Sequence, residues 1–272
     1  MKFSGIEKIG FIGAGKMAEG IIKGLIESDL IKAEEIIAAD IDAERLQTLH
    51  KKLGILTMPN RELAQTCHLL FLSIKPQQAD AVFQELEDIS FEDKLVLSIM
   101  AGVPTHRIEN GLGKAVHVIR IMPNIAATVQ AAASAFCLGK WATQKDATLA
   151  RTILETFGTA EQIDESLLDA VTGLSGSGPA YVFSFIEALA DGGVLMGLSR
   201  KTALNLAIQT VYGAAKLILE TGDHPALLKE KVTSPGGTTI HGLAKMEEAG
   251  FRNALIQGVK RATERSQELG KE

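Results

Sequence analysis

Residues 6–18 read Ile6-Glu7-Lys8-Ile9-Gly10-Phe11-Ile12-Gly13-Ala14-Gly15-Lys16-Met17-Ala18, and the fold turns on them. An apolar run stops at Gly13 and Gly15, and Met17, Ile21, Ile22, Leu25 and Ile26 then follow at helical spacing. That pattern predicts a buried strand, a tight turn and a helix. Gly13-x-Gly15-x-x-Ala18 fits the dinucleotide fingerprint: the first glycine permits the turn, the second lets backbone approach a pyrophosphate, and the small third residue lets helix pack on strand. Bare N–H groups at the helix start, with the positive end of its dipole, attract the anion.

Working outward, Glu35 to Asp40 reads as a second strand, with a helix from Ala43 to Leu53 after it. Asp40 stands 25 positions after Gly15. A carboxylate there accepts from a ribose 2′-hydroxyl and repels a 2′-phosphate. Arg45 is the one nearby cation able to reverse this, and Asp42 and Glu44 oppose it, so NADH is expected to serve at least as well as NADPH. Further apolar runs at 68–74, 94–100 and 115–121 alternate with helix-length segments, which predicts an α/β domain with a parallel sheet covered on both faces.

Past residue 163 the strand-like runs stop. Helical patterns take over at 165–173, 178–197, 200–221, 225–232, 238–249 and 251–269. The expected division is therefore 1–163, a Rossmann-type dinucleotide-binding domain, and 164–272, an all-helical domain. The stretch from Pro179 to Leu198 is apolar nearly all round, so a helix there should be buried, in the core of the helical domain or against a second subunit.

Composition narrows the function classes. With 272 residues, 46% hydrophobic and 22% charged, the chain has the makings of about two folded domains. A net charge of -5 with scattered Lys and Arg leaves no basic stripe for nucleic acid. No uninterrupted apolar run has membrane-spanning length and no signal-peptide pattern follows Met1, so neither membrane nor export is expected. Cys67 and Cys137 are the two cysteines, too few for a disulfide framework or a zinc site. A reducing, cytoplasmic location and no metal are the expectations. Of the six histidines, His117 reads as a strand residue, while His241, one turn past two threonines, is the one placed to reach a pocket.

Three more segments carry a resemblance: Ser73-Ile74-Lys75-Pro76, Thr172-Gly173-Leu174-Ser175-Gly176-Ser177-Gly178-Pro179-Ala180-Tyr181, and Ser234-Pro235-Gly236-Gly237-Thr238-Thr239-Ile240. With Phe11 to Ala18 and Met122-Pro123-Asn124, the chain resembles the pyrroline-5-carboxylate reductases from end to end. The resemblance implies reduction of the cyclic imine 1-pyrroline-5-carboxylate to L-proline with NADH or NADPH, and a helical domain that interlocks with a twofold mate, often within a decamer. It implies that Asn60 contacts the adenosine side, that Ser73, Ile74, Lys75, Pro76, Met100 and Ala101 line the nicotinamide half, and that Ser234 to Thr239 hold the substrate. Glycines 236 and 237 would leave amides bare for its carboxylate, although one threonine could serve only as an N-cap. Thr239 is the candidate hydroxyl for the ring nitrogen, by alignment with the family's substrate-contacting threonine.

A rival resemblance, to the β-hydroxyacid dehydrogenases, requires a proton-transferring lysine and an asparagine where this chain has Val182 and Ile186. A non-catalytic dinucleotide-binding regulator is the other alternative, since fold alone does not establish turnover.

Overall fold

The computed structural model describes residues 7–113 and 115–270. Two compact units emerge: Met1–Ser177 together with Arg261–Glu272, and Gly178–Lys260.

The first unit alternates strand and helix: β1 (Ile9–Ile12), α1 (Lys16–Glu27), β2 (Ile36–Ala39), α2 (Ala43–Leu53), β3 (Leu56–Thr57), α3 (Asn60–Thr66), β4 (Leu69–Leu72), α4 (Ala79–Glu85), β5 (Leu95–Ser98), α5 (Thr105–Leu112) and β6 (His117–Met122). Then come β7 (Ala132–Leu138), α6 (Gln144–Leu154), β8 (Gly158–Gln162) and α7 (Leu168–Val171). The sheet order is β3-β2-β1-β4-β5-β6-β7-β8. Every pairing is parallel except β6 with β7, where Ile119 faces Leu138 and Met122 faces Ala135 in antiparallel register. The short connection explains the reversal: Ile125–Val129 forms a 3-10 turn and leaves too few residues for a parallel crossover.

Alternation along the strands divides the core. Ile9, Phe11, Phe71, Leu97 and Ile119 face α1 and α6, with Phe11 stacked on Phe71 at 4.5 Å. Ile12, Leu70, Leu72, Val96 and Val118 face the other way, toward α3, α4 and α5. Helix α1 lies very close to its neighbours through small residues. A Cβ at Gly20 would come within 3.1 Å of Ala127 backbone, and one at Gly24 within 2.9 Å of Phe157. The boundary expected at 163/164 falls in the link between β8 and α7, and the first unit continues through a π-helical stretch, Thr172–Gly176.

The second unit holds α8 (Gly178–Leu195), α9 (Arg200–Thr221), α10 (Pro225–Lys231), α11 (Thr238–Glu248) and the first part of α12 (Phe251–Leu269). Residues 261–269 of α12 count with the first unit, where Ser266 Oγ donates to Asp169 at 2.6 Å. Helices α8 and α9 meet through Ala190, Ala203 and Ala207, flanked by Ile186 and Val194. Of the two placements left open for 179–198, burial in the core of its own helical domain is not what the chain shows: Ala190 is the one buried residue of α8, while Phe183 is 63% and Leu195 85% exposed. Phe185 of α8 meets Phe251 of α12 with ring centroids 5.8 Å apart, but other large apolar side chains of α8 and α9 remain uncovered by their own chain. Helix α9 has the length and apolarity of a membrane span, with only 11% of its most apolar window buried.

Candidate active site

A cleft of about 310 Å³ opens in the first unit at the carboxyl ends of β1, β2 and β4. Strand order reverses direction there, β2 and β3 lying to one side of β1 and β4 onward to the other, which is where open α/β sheets bind ligands. Eight of the expected cofactor residues line it: Ile12, Gly13, Gly15, Asp40, Asn60, Ser73, Ile74 and Lys75.

The two glycines do different things. Gly13 has φ +96°, and a Cβ there would lie 2.6 Å from the Ser73 carbonyl oxygen. That carbonyl belongs to rigid backbone, because Ser73 N donates to Ile12 O at 2.8 Å and its hydroxyl donates to Gly13 O at 2.7 Å. Gly13 N in turn donates to Ala39 O at 2.8 Å. Gly15 has an ordinary φ of -66° as the N-cap of α1, no side chain caps it, and nothing lies within 4 Å of its Cβ position. The helix start is thus open to an anion approaching the amides, and the residues present fit a dinucleotide pyrophosphate.

Asp40 is more constrained than the sequence suggests. Its Oδ2 accepts from Ala14 N at 2.6 Å and its Oδ1 from Asp42 N at 3.0 Å, so the carboxylate ties the glycine turn to the end of β2. Each oxygen keeps a second lone pair for a ribose hydroxyl. Asp42 caps α2 by accepting from Arg45 N, and Gly54 closes that helix in the left-handed region at φ 74°. Asn60 opens α3 and donates to Glu85 at 2.7 Å. Lys75 is exposed, and its backbone N donates to Gln78 at 3.1 Å at the start of a 3-10 turn.

The other expected cofactor residues are distributed differently. Ala14 and Ala18 are fully buried against the core, Met17 packs beside them, and Lys16 is exposed at the helix start. Pro76 and Ala101 line a second cleft of the same unit, about 580 Å³, with Gly102, Thr172 and Ser177. Met100 is 1% exposed, its side chain in the core. Asn124, quoted from the sequence as part of the Met-Pro-Asn segment but given no role, caps Ile125–Val129 through its Oδ1 and donates from Nδ2 to Ser175 O at 3.1 Å, joining that segment to the glycine-rich 172–178 stretch. Sequence reasoning named Arg45 but missed its pairing with Lys52 around Glu19, which no motif signals.

Ser234 to Thr239 lie in the second unit as the turn between α10 and α11. Gly236 has φ +68°, and a Cβ at Gly237 would sit 2.3 Å from Ser234 Oγ. Gly237 is the N-cap of α11 and brings no side chain to it. Neither threonine therefore serves as the cap, and the first amides of α11 start from a bare turn. Ser234, Gly236 and Thr238 are exposed, Gly237 and Thr239 half-buried. His241 Nδ1 donates to Gly237 O at 2.9 Å, which fixes its tautomer and holds the turn. His117 pairs with Asp146 at 2.9 Å as the first residue of β6. Among the described residues no group of three or more His, Cys, Asp or Glu side chains is placed to hold a metal.

Comparison with known proteins agrees with this layout. Residues 165–269 match the model of pyrroline-5-carboxylate reductase dimerisation domains, and residues 8–102 match that of coenzyme F420-dependent NADP oxidoreductases. A pyrroline-5-carboxylate reductase from Methanosarcina acetivorans is 51% identical, covering 97% of this chain and 98% of its own length. A solved pyrroline-5-carboxylate reductase from Coxiella burnetii superposes with a TM-score of 0.92 at 36% identity, covering 97% of this chain and 98% of that one. The Plasmodium falciparum pyrroline carboxylate reductase, solved with NADP bound, gives 0.87 at 30% identity over 98% of this chain and all of that one. With identity at that level over its whole length, this chain belongs to the pyrroline-5-carboxylate reductase family.

Proposed function

We propose that the chain reduces the C=N bond of 1-pyrroline-5-carboxylate to give L-proline, using NADH or NADPH. The observation that carries this reading is identity of 51% across 97% of the chain, which takes in the Ser234–Thr239 turn as well as the glycine turn and so exceeds a likeness of dinucleotide-binding halves. The bound reduced nicotinamide supplies a hydride to the imine carbon.

The chain's own groups bind, orient and protonate. The amides at Gly15 and the start of α1 take the pyrophosphate, while Asp40 and Asn60 take the adenosine side. Ser73 to Pro76, Met100 and Ala101 serve the nicotinamide half. The bare start of α11, with Ser234, Gly236, Gly237 and Thr238, grips the substrate carboxylate, where helix-end amides favour an anion. Fixing that group orients the ring and turns an encounter into a near-unimolecular event. Thr239 donates its hydroxyl hydrogen bond to the neutral imine nitrogen and relays to it a proton from water as the hydride arrives; an imine that arrives already protonated donates its N–H to the hydroxyl oxygen instead and needs no acid.

The uncovered apolar faces of α8 and α9 are the contact with a second copy of the chain, the role for which the dimerisation family model is named. Their exposure in one chain is what an obligate interface leaves behind. A larger ring such as a decamer, a functional division at 163/164, and a cytoplasmic location complete the proposal. The test is direct: purified protein, 1-pyrroline-5-carboxylate and NADH should lose absorbance at 340 nm with stoichiometric L-proline, and no proline above background refutes the assignment.

A further inference from the structure

Where β2 gives way to α2 the cleft is lined by Asp40, Ile41 and Asp42, and the cation in its lining, Lys75, belongs to the β4 side. A 2′-phosphate placed beside Asp40 and Asp42 needs a nearby cation, because like charges at short range disfavour one another. Helix α2 carries three cations, Arg45, Lys51 and Lys52, of which Arg45 and Lys52 reach α1. Both are bound to one carboxylate on α1. Arg45 Nη2 lies 2.7 Å from Glu19 Oε2, and Lys52 Nζ lies 2.7 Å from Glu19 Oε1. Arg45 is held a second time, its Nε donating to the Ala14 carbonyl at 2.8 Å, and it does not line the cleft. The Glu19 side chain is 17% exposed and that of Arg45 22%, so solvent screens this pair less than a surface bridge. Hydrogen bonds from Lys52 and Arg45 hold the Glu19 carboxyl below its ordinary range, which keeps it charged throughout the physiological range.

We propose that Glu19 sets the dinucleotide preference of this chain: it neutralises Arg45 and Lys52 and holds Arg45 against the glycine turn, so that the cleft takes a dinucleotide with a free 2′-hydroxyl. The proposal rests on the dinucleotide reading of the cleft and adds a residue that never touches the cofactor. It is a specificity-determining position acting through Arg45. Asp40 supplies the other half, since its two oxygens are fixed by the amides of Ala14 and Asp42 and it stays in place whichever cofactor arrives.

Equilibrium binding of NADH and NADPH, by calorimetry at low ionic strength and without imine, tests this apart from turnover. Wild type should bind NADH at least tenfold more tightly than NADPH. Glu19→Gln should narrow that ratio at least fivefold by tightening NADPH, and Glu19→Gln/Arg45→Ala should restore it. If Glu19→Gln does not fold, Glu19→Met, similar in size and uncharged, carries the same expectation. Tighter NADPH binding by wild type, a ratio within twofold of wild type in the single variant, or a gain that survives in the double variant each overturns the proposal. Wild type binding neither dinucleotide refutes the reading of the cleft itself, and turnover of the imine separates that failure from the others.

Discussion

Replacing each glycine of the turn by alanine should separate two costs that the fingerprint merges. Gly13→Ala places a residue with a side chain at φ +96°, and its Cβ 2.6 Å from the Ser73 carbonyl oxygen. A residue forced into such a backbone region costs about 1–3 kcal/mol. Overpacking against backbone that cannot retreat costs about 1–3 kcal/mol more. Ser73 is anchored through its N–H and its hydroxyl to β1 and the turn, so little of this relaxes. The sum, about 2–6 kcal/mol, corresponds to a fall in melting temperature of at least about 5 °C for a domain of this size. Gly15→Ala meets neither cost, with φ -66° and nothing within 4 Å of the new methyl, yet the methyl covers the approach to the helix amides. Its melting temperature should stay within about 2 °C of wild type, a change smaller than about 1 kcal/mol, while NADH affinity falls at least tenfold. Differential scanning calorimetry and NADH titration of both variants read the two effects. Stable Gly13→Ala with wild-type affinity would refute the steric reasoning, and Gly15→Ala with wild-type affinity would refute the placing of the pyrophosphate.

Four further outcomes follow from the same geometry. Thr239→Ala should lower kcat/KM for the imine well beyond threefold while leaving NADH affinity unchanged; a loss smaller than threefold removes the proton-relay role. Because Lys52 and Arg45 depress the folded pKa of Glu19 below its unfolded value, its stabilisation is complete above the unfolded pKa near 4.5 and lost as pH falls through the lower folded one. Melting temperatures taken from pH 5 down to 2.5 should therefore converge for wild type and Glu19→Gln, and parallel curves would contradict the pairing. Burial pushes the thiols of Cys67 and Cys137 up to about 11 and about 12, so Ellman's reagent at pH 8 should label neither until the chain is unfolded. Phe183→Asp, on the uncovered face of α8, should lower the sedimentation mass toward the monomer, and an unchanged mass would move the interface elsewhere.

Much of the first unit was legible because its signals are local. The glycine turn and α1 were readable from residues 9–26, and the expected helix 43–53 coincides with α2, bracketed by the Asp42 cap and left-handed Gly54. The later helices lie within a few residues of their periodicities. Strands β7 and β8 were not readable. Ala132–Leu138 is alanine-rich and Gly158–Gln162 is mostly exposed, so neither has the apolar run that marks a doubly covered strand. Leu56–Thr57 is two residues long, below any pattern. In the site, the glycines, Asp40 and Ser73 were named in advance, but their joining was not, because Gly13 and Ser73 are 60 positions apart and meet only through the β1–β4 pairing.

Order along the chain therefore determined the α/β half, the helical half, the glycine turn and the substrate-loop candidate, since each depends on neighbours within a helix turn or a strand. Tertiary structure alone decided three things: that both oxygens of Asp40 accept from backbone amides, that Glu19 gathers Arg45 and Lys52 of α2, and that large apolar side chains of α8 and α9 are uncovered by their own chain. Partners 26 and 33 residues apart along the chain are chosen by how helices settle on a twisted sheet, and periodicity carries no record of that.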